Sequence, residues 1–448
     1  MKLTFWGGAK SVTGANYLLE SGAAKILVDC GLGQGSSYAE KHNFDPFPYN
    51  PAEISAVLIT HAHIDHTGRL PKLCKDGFRG KIYSTEPTRD FAELLLVDSE
   101  NLLKQEAEKH GREPLYNLDD VHRVMDLWEG VDYHQPFRIG DLEAELFDAG
   151  HILGSSVIVV KAEGKKIVFS GDLGNTPAPI IRRLEKIEEA DYCLTESTYG
   201  NRLHESHEER RGLLEDAIEE TVKKSGTLMI PAFAMERTQE LLYELNELAE
   251  HGRIPKVPVF IDSPLAIRLT AVYQKHQIYF NSETKRVISS GDAIFNFPGL
   301  KMTLTTEQSK EINEVPPPKI IVAGSGMSNG GRILHHEMRY LSDPNSAIIF
   351  IGYQAKGTLG RQLIEGAASV RIFGEDIPVR CRTLGIGGYS AHADQAQILD
   401  WLKPMRFSLK KIFVVQGEEE SSGALAVKIR DELAVEAVVP NVGESFEL

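Results

Sequence analysis

At 448 residues, with 42% hydrophobic and 25% charged side chains, the chain can bury two or three sizeable cores, which excludes a small scaffold held together by disulfides. A formal net charge of −15 excludes whole-surface attraction to nucleic acid; a polyanion would have to be held by a local basic groove or by cations. No uninterrupted apolar run approaches the roughly 18 residues of a membrane span, so no membrane passage is expected.

The first segment, Met1 to Gly8, runs straight into a strand-like pattern without the apolar core or cleavage site of a signal peptide, which predicts a cytoplasmic protein. Up to about residue 205, short β-type runs recur at Lys25 to Val28, Ala56 to Ile59, Val157 to Val160 and Ile167 to Phe169, and polar residues follow several of them directly. From 207 the pattern changes. A helix with Leu214, Ala217, Ile218 and Val222 on its apolar face leads into strand-like runs at Thr227 to Ile230, Pro258 to Ile261, Lys319 to Val322 and Ala347 to Ile351, separated by helical stretches. That alternation predicts an α/β insert on a largely parallel sheet, with Pro316-Pro317-Pro318 as a stiff surface connection. After about residue 375 the character of the first part returns: a Gly-rich turn, Tyr389 to Asp394, a helix and the strand Lys411 to Val415. The expected organisation is one discontinuous domain, 1–205 and 375–448, interrupted by a second, 206–374. Cys30, Cys74, Cys193 and Cys381 are far apart, form no C-x-x-C pair and are read as buried thiols.

The densest chemical signal is Thr60-His61-Ala62-His63-Ile64-Asp65-His66-Thr67-Gly68, immediately after an apolar strand. A sharp turn at a strand end can aim His61 and His63 at one cation and Asp65 and His66 at another. Imidazole and carboxylate donors suit zinc first, with manganese or iron as the other candidates. His151, in Asp148-Ala149-Gly150-His151, and Asp172, in Ser170-Gly171-Asp172-Leu173-Gly174, also follow strands, and their neighbouring glycines let the backbone turn close to an ion.

The HxHxDH segment, with Asp29 upstream in Val28-Asp29-Cys30-Gly31 and His151 and Asp172 downstream, resembles the metallo-β-lactamase superfamily. Thr195 to Gly200, the long insert, Gly324 to Gly331 and Ser390-Ala391-His392-Ala393-Asp394 resemble its β-CASP branch of RNA-processing nucleases, in the compact prokaryotic style. The resemblance spans essentially the whole chain. It implies an α/β fold, a metallo-β-lactamase αββα sandwich with an inserted α/β β-CASP domain. It also implies one metal on His61, His63, His151 and Asp172, and a second, bridged by Asp172, on Asp65 and His66. Asp29 would orient a ligand. Glu196 and His392 would form a catalytic pair in which the histidine protonates the leaving oxygen, with Asp65 also in the catalytic set.

The expected activity is therefore zinc-dependent hydrolysis of phosphodiester bonds in single-stranded RNA by two-metal catalysis. Internal cleavage is the first expectation and 5′–3′ exonucleolytic cleavage the second. Arg237, Arg332 and Lys356 are the candidate phosphate contacts, and exposed helices of the insert could support a homodimer. The chain departs from the family where a strand-ending His-Gly-Glu becomes Gln416-Gly417-Glu418. A carboxamide is a poor zinc ligand beside an imidazole, so the second site is expected to be weaker, emptied in dilute metal, and activity reduced. Two rivals follow: a catalytically weakened RNA-processing scaffold, which Gln416 favours, and a small-molecule hydrolase of the same fold, which the insert and the Glu196/His392 pair disfavour.

Overall fold

Strands with every second side chain apolar bury one face, and in the computed structural model, which describes residues 1–448 apart from 23, 36–40, 206, 353 and 356, that alternation builds two facing sheets. The first sheet contains β1 (Lys2–Gly7), β2 (Asn16–Ser21), β3 (Ala24–Val28), β4 (Ala56–Leu58), β5 (Lys81–Ser84) and β6 (Trp128–Gly130). The second contains β7 (Phe137–Ile139), β8 (Leu142–Asp148), β9 (Ser156–Ala162), β10 (Lys165–Phe169) and β11 (Tyr192–Thr195). The inserted elements include β12 (Thr227–Pro231), β13 (Val259–Ile261), β14 (Leu300–Met302), β15 (Lys319–Ala323), β16 (Ala347–Phe350), β17 (Ser369–Ile372), β18 (Glu375–Pro378) and β19 (Arg382–Gly385). The chain then returns through β20 (Lys411–Val414), β21 (Ala437–Val438) and β22 (Ser445–Glu447).

The order of the first sheet is β22-β1-β2-β3-β4-β5-β6 and that of the second β21-β20-β11-β10-β9-β8-β7, so each sheet is completed by a strand from the far end of the sequence. Leu146, Ile158, Val160, Ile167 and Phe169 point inward and join Leu3, Phe5, Ile26, Val28 and Leu58 in one core between the sheets. Their neighbours Val157, Val159 and Val168 point the other way, against Ile398, Leu402, Leu425 and Ile429 of the helices Gln395–Leu402 and Glu419–Leu433. Helices Glu86–His110 and Leu118–Leu127 pack at β6 and β5, giving the first sheet its helical cover and this unit its α/β/β/α layering.

The compact units are Met1–Leu203 with His392–Leu448, and His204–Ala391. The second is built on the parallel sheet β14-β13-β15-β12-β16-β19. The reading from sequence began the return segment at 375, where the Gly-rich turn suggested it. The β19 strand instead pairs with β16 throughout Arg382 to Gly385, so hydrogen bonding keeps the stretch to Ala391 with the second unit. Among the described residues no helix is long and apolar enough to cross a membrane.

One carboxyl group in the second unit opposes its own burial. Glu337, in the helix Ile333–Tyr340, is fully buried; Ser328 Oγ donates to one carboxylate oxygen, and the other has no partner among the described residues. Burial pushes this carboxyl up to about 8, the Ser328 contact opposing only in part. Since the folded state holds this proton more tightly than the unfolded chain, the group's contribution to stability is complete below about pH 4 and is lost as pH rises through about 8. Glu337→Gln is therefore expected to raise the melting temperature by several degrees at pH 9 and much less at pH 5. Melts showing the same shift at both pH values would refute this account.

Candidate metal centre

The ends of β3, β4, β8, β10, β11 and β20 deliver, in turn, Asp29, His61, His151, Asp172, Glu196 and Gln416. Loop closure at this edge depends on close backbone approach. Gly31 lies against the Asp65 carbonyl, which a Cβ would meet at 1.5 Å, and Gly171, at φ +53°, lies against Thr60, which a Cβ would meet at 2.6 Å.

Asp29 is fully buried with φ +61°, and its carboxylate holds the turn that follows β4. The Thr60 amide donates to Oδ1 at 2.8 Å, and the Thr60 hydroxyl to Oδ2 at 2.8 Å. His66 Nδ1 also lies 2.7 Å from Oδ2, so that nitrogen carries the proton that bonds the carboxylate. With its hydrogen given to Asp29, the Thr60 oxygen accepts from His61 Nδ1 at 3.1 Å, which leaves the His61 Nε2 lone pair facing inward.

His61 Nε2 and His63 Nδ1 are 3.0 Å apart, and His63 Nδ1 and His151 Nε2 3.3 Å. Asp172 Oδ2 lies 3.4 Å from His61 Nε2 and 3.5 Å from His151 Nε2. In a tetrahedral zinc site with bonds of roughly 2.0–2.1 Å, neighbouring donor atoms stand about 3.3–3.4 Å apart. Lone pairs gathered at that spacing repel one another unless a proton or a cation lies among them, so this donor set fits a divalent ion. Burial, with neighbouring imidazoles adding to it, holds His63 and His151 well below the usual histidine range, and their lone pairs are available to a metal. Burial alone would raise the Asp172 carboxyl; His66, His61 and His392 outweigh it and hold the group ionised.

The two oxygens of Asp172 face different partners. While Oδ2 serves the set above, Oδ1 lies 3.4 Å from His66 Nε2 and accepts from Gln416 Nε2 at 2.8 Å. Asp65 Oδ2 is 3.9 Å from His66 Nε2. Among the described residues two groups of ligand atoms converge within 4.8 Å, His61, His63, His151 and Asp172 in one and Asp172, Glu196 and His392 in the other. Asp65 and His66 belong to neither; the Gln416 amide nitrogen stands among them instead, 2.9 Å from His66 Nε2.

Glu196, fully buried, accepts from the Leu173 amide at 2.6 Å and the Thr198 amide at 3.3 Å. His392 Nδ1 lies 3.2 and 3.1 Å from its two oxygens, and ring geometry turns Nε2 away from that carboxylate. Burial would lower the His392 imidazole, but the charges of Glu196 and Asp172 prevail and raise it to about 9.

The candidate phosphate contacts fare differently. Arg237 is buried and its guanidinium engages Glu240 and the Tyr389 carbonyl, so it offers nothing to a phosphate. Arg332 is held by Asp262 at 2.7 Å and by the carbonyls of Thr303 and Leu304. Both corrections have one physical reason: a cation near a buried carboxylate is used to neutralise it. Lys356 lies outside the described residues. Sequence reasoning passed over Thr60 and Tyr17. Thr60 was visible as the residue leading the histidine motif, whereas nothing in the pattern pointed to Tyr17, whose hydroxyl donates to Gln416 Oε1 at 3.3 Å.

Three family profiles match the chain: the metallo-beta-lactamase superfamily over residues 12–224, the Beta-Casp domain over 238–363, and the Zn-dependent metallo-hydrolase RNA specificity domain over 376–440. A ribonuclease of Thermus thermophilus is 39% identical over 426 residues, covering 95% of each chain. An RNase J-like protein of Methanocaldococcus jannaschii is 32% identical over 443 residues, 98% of this chain and 97% of its own. The transcription termination factor FttA of Methanosarcina mazei is 30% identical over 456 residues, 97% of this chain and 70% of its own. A solved structure of a protein of unknown function from Enterococcus faecalis superposes with a TM-score of 0.57 at 12% identity, covering 100% and 99% of the two chains, a likeness of fold alone.

Asp29→Ala is expected to lower the unfolding free energy by about 3 kcal/mol, because three buried donors lose their acceptor. Asn at 29, which tolerates positive φ and keeps one acceptor oxygen, should recover part of the loss. Urea denaturation of both variants checks this; an Ala variant within about 0.5 kcal/mol of the parent would contradict the assigned role.

Proposed function

The chain belongs to the β-CASP branch of the metallo-β-lactamase superfamily, and from that membership we propose that it is a zinc-dependent ribonuclease hydrolysing phosphodiester bonds of single-stranded RNA. The observation that carries the reading is the set of four donor atoms on His61, His63, His151 and Asp172, all within 4.8 Å of one another and joined in a ring by neighbouring separations of 3.0–3.5 Å. The fold family implies a divalent metal; neutral imidazoles with one carboxylate favour zinc, with manganese as the alternative. The relatives named as ribonucleases and the matched RNA specificity domain support RNA as the substrate.

A bound cation supplies Lewis acidity, activating water and neutralising phosphate charge. The protein's own residues do the rest. Asp29, through Thr60, fixes the His61 tautomer, so the ligand presents a lone pair without reorganising. Glu196, anchored by two backbone amides, orients His392 and favours its protonated form. His392 then holds a proton at Nε2 for the departing ribose oxygen. A scaffold that binds RNA without cutting it is the second reading, and Gln416 is the observation favouring it.

Elemental analysis combined with cleavage of a labelled single-stranded RNA tests the proposal. Chelator-sensitive cleavage restored by zinc is expected. His63→Ala should reduce turnover about 100-fold or more, and His392→Ala by about 10²–10⁴-fold with zinc retained. RNA bound but uncut, with no response to chelator or to His63→Ala, would establish the scaffold instead.

A further inference from the structure

We infer that this chain holds one catalytic cation rather than two, because the Gln416 carboxamide occupies the second position as a hydrogen-bonding substitute for a metal. The inference rests on the proposed cation at His61, His63, His151 and Asp172 and concerns only what stands beside it.

The orientation of the amide follows from its neighbours. Asp172 Oδ1, 2.8 Å away, belongs to an ionised carboxylate and can only accept, so the amide nitrogen must face it. At the other end Oε1 accepts from the Tyr17 hydroxyl at 3.3 Å. The same nitrogen stands 2.9 Å from His66 Nε2. The two atoms that would ligate a second cation, Asp172 Oδ1 and His66 Nε2, thus both face the Gln416 amide nitrogen, which fills the space between them.

The backbone that carries this side chain is held as well. Gln416 is buried, with φ +48°; its backbone N–H donates to the Gly8 carbonyl at 2.7 Å, and its backbone carbonyl accepts from Thr198 Oγ1 at 3.1 Å. Gly8 leaves the room this requires, since a Cβ there would stand 2.4 Å from the Tyr17 hydroxyl and 3.3 Å from Gln416 Cγ. A metal entering this position would have to break the amide's hydrogen bond to Asp172, turn the carboxamide against Tyr17, and draw in Asp65, which stands 3.9 Å from His66 Nε2. One weak oxygen ligand is a small return for those losses.

The test reads metal content and does not depend on turnover. Protein loaded with excess zinc, passed over a desalting column and analysed for zinc per folded chain should retain one equivalent, and Gln416→His should retain two. Two equivalents in the parent protein would overturn the inference while leaving the ribonuclease proposal intact. No zinc in the parent would overturn both. One equivalent in a folded Gln416→His would show that the amide is not what excludes the second ion, and would also overturn it. Circular dichroism establishes that the variant is folded; if it is not, the parent's zinc titration decides alone, a single binding step supporting the inference and two steps refuting it.

Discussion

A buried carboxylate has to be surrounded by donors, and the donors chosen for Asp29 determine most of what happens at this edge of the molecule. Its oxygens receive the Thr60 amide, the Thr60 hydroxyl and His66 Nδ1, which ties the end of β3 to the turn after β4. By fixing where two protons sit, on the Thr60 hydroxyl and on His66 Nδ1, the same contacts set how the His61 and His66 rings are turned. Fold and electronic state therefore share one origin, as is typical of centres where ligands must be prepared before the ion arrives.

Asp172 divides the site in two. One oxygen completes the converging set of three imidazoles and the other meets the Gln416 amide, so the chemistry on one side and the hydrogen bonding on the other are linked through a single carboxylate. Glu196 and His392 lie beside it, His392 Nδ1 being 3.8 Å from Asp172 Oδ2. Strand ends carry almost all of these groups. Rigid, buried strands hold backbone positions steady, while the loops beyond them are free to use left-handed turns and close approaches that a strand interior forbids.

Much of this was legible in the amino-acid sequence, and the reason is local density. His61, His63, Asp65 and His66 fall within one short turn, and His151, Asp172 and Glu196 each follow an apolar run that reads as a strand. The alternating strands and helices after residue 207 likewise marked a parallel sheet. What stayed hidden depended on partners distant in the chain. Arg237 and Arg332 looked like free cations until Glu240 and Asp262 were seen beside them. Gln416 read as a missing ligand, because a letter in a sequence does not say which end of an amide faces a carboxylate; only the placement of Tyr17 and Asp172 does. The pairing of β19 with β16 was hidden for the same reason, since the two strands lie more than thirty positions apart.

The closure of both sheets by late strands bears on the order in which the protein comes into being. Translation proceeds from the N-terminus at about 5–20 residues per second. His61, His63, His151 and Asp172 are synthesised before residues 204–391, and His392 and the strands β20 to β22 follow only afterwards. Until then β1 lacks its neighbour β22, and β11 lacks β20. A nascent chain carries His61, His63, His151 and Asp172 without His392 or the strands that complete the two sheets. The order of synthesis therefore leaves this edge of the molecule incomplete until the chain is almost finished.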